Sequence, residues 1–155
     1  MTSLCLHSTE TDCPGGFFML GGNCYKFINE YLTQTAAVQR CANLYPDTSL
    51  VEPRTADQMD AVFDAFKPHA IWIGLQFSSQ ENYFVWLIDG SVPTYSLPFS
   101  AGEPDRYNGC GCNDDCVVTE AYNGQWSLGD TNCYARLARV VCQTGEHLTL
   151  RKIDI

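Results

Sequence analysis

Basic side chains are scarce in this chain. Lys and Arg together number 9 against 18 Asp and Glu, which gives a formal charge of -9 at pH 7. So acidic a protein has little with which to neutralise the phosphates of DNA or RNA, and we expect no nucleic-acid partner. No apolar run approaches the roughly 20 residues that a membrane-spanning helix needs, so we also expect no membrane insertion.

The groups on which common enzymes rely are missing or badly placed. The few histidines lie far apart in the sequence, which argues against Ser-His-Asp and Cys-His catalysis. No glycine-rich, phosphate-binding loop precedes a predicted helix. Glu103 and Asp105 lie two positions apart on one loop, which does not suggest the facing carboxylates of a glycosidase. We therefore expect a binding protein and not an enzyme.

Cysteine, by contrast, is abundant. Nine cysteines in 155 residues predict a disulfide framework made in an oxidising compartment. Zinc is the alternative for the closely spaced Cys110, Cys112 and Cys116, but no His lies near them and no second C-x-x-C pair exists. The chain also starts without a signal-peptide pattern, so we expect a mature, secreted, extracellular protein. Because the count is odd, one thiol stays free or pairs with another chain.

The length fits a single domain, and hydrophobic residues, 45% of the total, suffice for a real core. We place this domain at residues 13–143. Residues 1–12 form a polar leader, in which Cys5 is the best candidate for the bond that links two copies into a homodimer. Residues 144–155 form a tail that is an extra edge strand, a partner contact or a frayed end.

Two amphipathic helices precede most of the strands, which indicates an α+β fold. The first helix is expected to start at its cap Thr33 and to run to about Tyr45; the second opens with a capping box of Thr55 and Gln58. One face of the first helix carries Val38, Cys41, Ala42 and Tyr45. Segments rich in β-branched and aromatic residues predict the strands at residues 71–75, 83–86, 116–119, 124–126 and 138–142.

Residues 102–116 are the most unusual stretch of the chain. They contain four carboxylates and several glycines, with no helical or strand periodicity. This stretch belongs to a long irregular segment that starts after Trp86, and loops of that length in a compact domain are usually functional. Clustered carboxylate and amide oxygens are the ligands that a hard cation such as calcium prefers, so calcium is the predicted cofactor.

With these features placed, the chain from Cys13 to Cys142 resembles the C-type lectin-like domain family. Three motifs are similar to segments typical of that family: Trp72-Ile73-Gly74-Leu75 to its core tetrapeptide, Gly102-Glu103-Pro104-Asp105 to its calcium and sugar triplet, and Asp114-Asp115-Cys116-Val117 to its Glu-Asp-Cys-Val segment. The resemblance implies a fold in which two helices pack on short antiparallel sheets that present a long calcium-binding loop.

The resemblance also implies how the cysteines pair. On the family pattern the pairs are Cys41 with Cys142, Cys116 with Cys133 and, as in the long form of the domain, Cys13 with Cys24. Three cysteines remain unassigned. We expect Cys110 and Cys112 to clamp the long loop locally, and Cys5 to bond its copy in a second chain.

The resemblance further implies a ligand set. In lectins of this family the triplet, an acid before the third-strand cysteine and an Asn-Asp pair after a later Trp hold one calcium ion, on which a sugar places two hydroxyls. Carried over, this implies metal and sugar contacts for Glu103, Asp105 and Asp114. Tyr107 is either a further sugar contact or only an exposed loop residue. A cis bond before Pro104, as in that family, would turn both flanking side chains toward one ion.

Two departures from the family pattern modify these expectations. Trp126-Ser127-Leu128 stands where the family has Trp-Asn-Asp, and Leu128 offers no ligand oxygen. Asp130 and, more weakly, Ser127 are the replacements, although Asp130 beside Gly129 is also typical of an ordinary turn. The second departure is the triplet itself, because both residues that flank its proline are acids.

The triplet bears on sugar preference. In the resembling family Glu-Pro-Asn is associated with mannose-type sugars and Gln-Pro-Asp with galactose-type sugars. An amide donates hydrogen bonds to a sugar oxygen whereas a carboxylate only accepts them, so Asp105 should relax the discrimination. We predict a secreted, calcium-dependent lectin that leans toward mannose with broadened specificity and acts on cell-surface or microbial glycans, in innate recognition or agglutination. The alternative is a calcium-independent protein of the same fold that binds a protein, mineral or ice surface.

Overall fold

The computed structural model describes residues 13–105 and 114–144. The predictions for Cys5, Tyr107, Cys110 and Cys112, and those for the leader and nearly all of the tail, lie outside the described residues. The helices and strands follow in this order: β1 Phe18–Leu20, β2 Asn23–Leu32, α1 Gln34–Ala42, β3 Thr48–Leu50, α2 Ala56–Phe66, β4 Trp72–Ser78, β5 Tyr83–Trp86, β6 Cys116–Tyr122, β7 Gln125–Thr131 and β8 Ala138–Thr144. None of the described helices is both long enough and apolar enough to cross a membrane.

The strands form two four-stranded antiparallel sheets. The first has the order β1-β2-β8-β3, and the second has the order β5-β4-β6-β7. The apolar face of α2, with Met59, Val62 and Phe66 buried, packs into the core that these sheets share with Trp86 and Leu128. The predicted α+β fold, with two helices on short antiparallel sheets, is confirmed.

Both helices begin where the capping pattern predicts. The Thr33 hydroxyl accepts a hydrogen bond from the Ala36 amide at 3.3 Å, and the Thr55 hydroxyl accepts one from the Gln58 amide at 3.1 Å. The second bond of the capping box differs from the expected one, because the Gln58 side chain accepts from the Arg54 amide and not from that of Thr55.

The predicted end of the first helix was wrong. Helix α1 ends at Ala42, and Asn43 caps it by donating to the backbone carbonyls of Gln39 and Cys41. Tyr45 therefore leaves the helical register and is 48% exposed, and Ala42 is exposed as well. The face that α1 buries instead consists of Gln34, Ala37 and Cys41.

The three disulfides that the family resemblance implies are present among the described residues. They join Cys13 to Cys24, Cys41 to Cys142 and Cys116 to Cys133. The bond between Cys41 and Cys142 spans 101 positions and ties α1 to β8. In the loop-entropy view, closing a loop of that length destabilises the unfolded chain by about 4–5 kcal/mol.

An ion-pair network fastens the start of the long loop to the core. Glu52, only 3% exposed, accepts hydrogen bonds from the Ile88 amide at 2.9 Å and from Arg54 at 2.6 Å. Arg54 also bonds Asp89 at 3.3 Å and covers the ring of Trp86 at 5.2 Å. A buried carboxylate needs such partners, because its desolvation is costly otherwise. The loop therefore leaves β5 in a fixed direction.

The same network explains the glycine of the Trp-Ile-Gly-Leu motif. A Cβ atom at Gly74 would lie 2.7 Å from Cγ of Glu52 and 3.1 Å from the carbonyl oxygen of Val51. The Gly74 amide donates to that carbonyl at 2.8 Å, so the two backbones run close together. Glycine is thus required at this position by space, since the buried Glu52 side chain lies against it.

Candidate functional site

The loop returns to the second sheet before it reaches the predicted site. Residues 98–100 lie along the outer edge of β7, where the Leu128 amide donates to the Pro98 carbonyl at 2.8 Å and the Ser100 amide donates to the Leu128 carbonyl at 3.0 Å. A turn follows, in which the Glu103 amide donates to the Ser100 carbonyl at 2.9 Å and Gly102 adopts a φ of +85°. The loop acids are thereby held next to β7.

Three carboxylates meet at this place. Glu103 and Asp105 come from the loop and Asp130 comes from β7, and each offers an oxygen within 4.8 Å of the other two. The peptide bond between Glu103 and Pro104 is cis. An Oδ1 atom of Asp130 accepts a hydrogen bond from the Asp105 amide at 3.1 Å, so strand and loop are joined directly.

Burial and the neighbouring acids together have a strong effect on the pKa of Glu103. Burial, a hydrogen bond shared with Asp130 and the negative charges of Asp130, Asp105 and Glu120 raise the pKa of Glu103 to about 8. Its Oε1 atom is buried and has no hydrogen-bond partner among the described residues. A hard cation would satisfy that oxygen and relieve the repulsion, so the donor set fits calcium.

The other positions that the family pattern singles out as possible ligands are Asp114, Ser127 and Leu128. Asp114 is 2% exposed just before β6, and it is not a member of the three-carboxylate cluster. The Ser127 hydroxyl is buried without a hydrogen-bond partner among the described residues. Leu128 is 0% exposed and belongs to the core. The roles of Asp114 and Ser127 as ligands therefore stay predictions.

Sequence reasoning missed Glu120, a fourth carboxylate close to the cluster. It lies on β6 opposite Ser127, and its side chain contacts Ser100 at the start of the turn that carries Glu103. The available signal was a single acid in an otherwise apolar or uncharged strand, Cys116–Tyr122. Its relation to the loop depends on how β6 and β7 align, which the sequence alone does not reveal.

A family profile described as "Lectin C-type domain" matches residues 30–144. The chain belongs to the C-type lectin domain family. Snaclec 2 of Sistrurus catenatus edwardsii is 24% identical to it over 140 residues, which cover 90% of this chain and 87% of that protein. Two crystal structures show the same fold in other C-type lectin domains.

The first is the C-type lectin CEL-I from Cucumaria echinata, which is 25% identical with a TM-score of 0.70 and covers 85% of this chain and 96% of its own. The second is the C-type carbohydrate-recognition domain of cow CD23, solved in the presence of a GlcNAc2Man3 oligosaccharide. It is 25% identical with a TM-score of 0.69 and covers 86% of this chain and 95% of its own. The C-type lectin fold of the present chain is thus shown both by its sequence and by its structure.

The raised pKa of Glu103 predicts a pH dependence of the metal-free lectin domain. Between its ordinary pKa of 4.5 and the folded value of about 8, the folded state binds more protons than the unfolded state. The contribution of Glu103 to stability is therefore present below pH 4.5 and lost as the pH rises through 8. The Glu103→Gln variant lacks this titration, so its stability minus that of the wild type should increase from pH 5 to pH 8.5.

Urea unfolding of both proteins in the presence of a chelator measures this difference. Glu30→Gln is the matched control, because Glu30 is an exposed residue of β2, in the other sheet, where it pairs with Arg40 of α1. It measures how removal of a carboxylate outside the cluster changes stability over the same pH range. A difference for Glu103→Gln that rises no more than that of the control would show that the carboxyls are not crowded in solution.

Proposed function

We propose that this C-type lectin domain is secreted and binds carbohydrate through a calcium ion held by Glu103, Asp105 and Asp130. The observation that supports the proposal most is the convergence of these three carboxylates, with oxygens within 4.8 Å of one another, on the loop that carries the Glu-Pro-Asp triplet. The disulfides are consistent with an oxidising, extracellular setting.

The three side chains divide the task of holding a cation. Asp130 is 7% exposed, belongs to β7 and accepts from the Asp105 amide, so it orients the loop as well as offering an oxygen. Glu103 is partly buried and Asp105 is exposed, which leaves the outer side of the cluster open to a ligand. Asp114 and Ser127 are the further protein oxygens that we propose for the same ion. Bound calcium accepts six to eight oxygens and would supply the open positions for two neighbouring sugar hydroxyls.

The two acids of the triplet determine what the sugar must offer. Ionised Glu103 and Asp105 only accept hydrogen bonds, so the sugar hydroxyls donate on both sides. Without an amide donor, the site has little means to choose between sugars that differ in the orientation of one hydroxyl. We therefore propose a lectin of broadened preference. It leans toward mannose because Glu103 matches the first residue of the Glu-Pro-Asn triplet. The cow CD23 domain, studied with an oligosaccharide that contains mannose and GlcNAc, supports this class of partner.

A calcium-independent binding protein of the same fold is the second candidate. The fully buried Leu128 favours it, because a core leucine stands where the resembling lectins have part of their metal site. Such a protein would use the loop as a shaped polar surface. It would keep its ligand in the absence of divalent cations.

Chromatography on immobilised mannose distinguishes the two candidates. The wild-type protein should be retained with calcium present and released by a chelator. Glu103→Ala should not be retained even with calcium, because it removes an oxygen ligand of the proposed ion, whereas the control Glu30→Ala should behave as the wild type. Retention of the wild type that persists in the chelator would leave only the calcium-independent interpretation.

The triplet allows a separate prediction about specificity. Asp105→Asn supplies the missing amide donor, and one hydrogen bond contributes about 0.5–1.5 kcal/mol. The ratio of inhibition by mannose to inhibition by galactose should therefore rise by about 2- to 12-fold. Asp64→Asn, an exposed aspartate of α2, is the control and should leave the ratio unchanged. An unchanged ratio in Asp105→Asn, or a shift toward galactose, would contradict the proposed role of this residue.

A further inference from the structure

The side chain of Glu120 crosses a neighbouring strand. Glu120 lies on β6 opposite Ser127 of β7, and its carboxyl group lies over Gly129, also of β7. A Cβ atom at Gly129 would be 2.5 Å from Cδ and from both carboxyl oxygens of Glu120. Any residue other than glycine at this position would therefore push the carboxyl group away.

A larger residue at position 129 would change the space available to the Glu120 side chain and not the backbone conformation. Gly129 is not among the residues with positive φ, so its backbone has a conformation that other residues adopt freely. It also lies within the paired part of β7, opposite Val118, where glycine weakens a strand. Because Gly129 has no side chain, the Glu120 side chain can lie across β7 at this position.

On the far side of β7 the carboxyl group meets the long loop. The Ser100 hydroxyl donates to Oε2 of Glu120 at 3.3 Å and lies 3.4 Å from the Leu128 carbonyl. Ser100 is also the residue whose carbonyl accepts from the Glu103 amide, so it begins the turn that directs Glu103. A chain of contacts thus runs from β6, across β7, to the triplet.

We propose that Glu120 is a positioning residue, which holds Ser100 against β7 and thereby directs Glu103 toward Asp130 before any ion binds. The part of this inference that concerns calcium rests on the proposed function. The part that concerns the order of the metal-free loop does not. Glu120 acts through Ser100, and it is not proposed as a ligand of the ion.

Calcium titration by calorimetry and hydrogen exchange of the metal-free protein test the inference together. Loss of a residue that orients metal ligands weakens metal binding by about 10- to 100-fold, and we expect about tenfold for Glu120→Ala. Exchange at the amides of Ser100 and Glu103 should become faster in the same variant without calcium. Glu120→Gln should bind calcium more tightly than Glu120→Ala, because its amide oxygen still accepts from Ser100.

A double-mutant cycle separates this role from simple packing. If Glu120 acts through Ser100, the variant with both Glu120→Ala and Ser100→Ala should bind calcium no more weakly than Glu120→Ala alone. Effects that add would instead mean that the two residues act independently and would overturn the inference. Glu30→Ala, the same change at an exposed position, should alter neither calcium affinity nor exchange.

Different results refute the positioning role of Glu120 and the proposed lectin function. If the wild type binds calcium and Glu120→Ala matches it in affinity and in exchange, the inference is wrong and the lectin proposal stands. If the wild type binds no calcium, the lectin proposal fails. Faster exchange of the loop amides in metal-free Glu120→Ala would then still support the positioning role, and unchanged exchange would refute it.

Discussion

The repulsion among Glu103, Asp105 and Asp130 is the interaction on which the site depends. Three carboxylates that offer oxygens within 4.8 Å of one another are unfavourable unless a proton or a cation lies between them. At Glu103, burial and then the neighbouring acids raise the pKa to about 8, so the ionised form of this side chain is unfavourable here. A positive ion that binds between these carboxylates relieves their repulsion, and this relief adds to the affinity of the site for the ion.

The rest of the fold keeps the carboxylates from separating. The disulfide between Cys116 and Cys133 brackets strands β6 and β7, and the buried Leu128 anchors β7 in the core. Glu52 and Arg54 hold the start of the loop, while residues 98–100 are bonded along the edge of β7. The loop is therefore fixed at two places before the triplet, and its acids have little freedom to move apart.

Local chemistry made much of the fold predictable. Helix starts follow from Thr33 and Thr55, because a hydroxyl that accepts from a nearby amide is encoded within a few residues. The end of α1 was less clear, since Asn43 closes the helix by backbone bonds that compete with the continuing apolar pattern. The disulfide pairs followed from the family resemblance and not from spacing, because spacing alone leaves many pairings open.

The site was only partly predictable for a reason of strand register. Glu103 and Asp105 belong to a recognisable motif, but the contribution of Asp130 depends on the alignment of β7 with β6, where Asp130 lies opposite Val117. The same alignment brings Glu120 over Gly129, nine positions away in the sequence. Pairing across strands is a long-range property, so the sequence offered Asp130 only as one of two replacement ligands and gave no sign of the contact between Glu120 and Gly129.

A crystal structure of the protein with calcium, in which anomalous scattering identifies the ion, tests the central claim most directly. We predict one calcium ion with oxygens of Glu103, Asp105 and Asp130 at about 2.3–2.6 Å from it. An intact fold in which no ion lies between these three side chains at saturating calcium, or in which they point apart, would contradict the account.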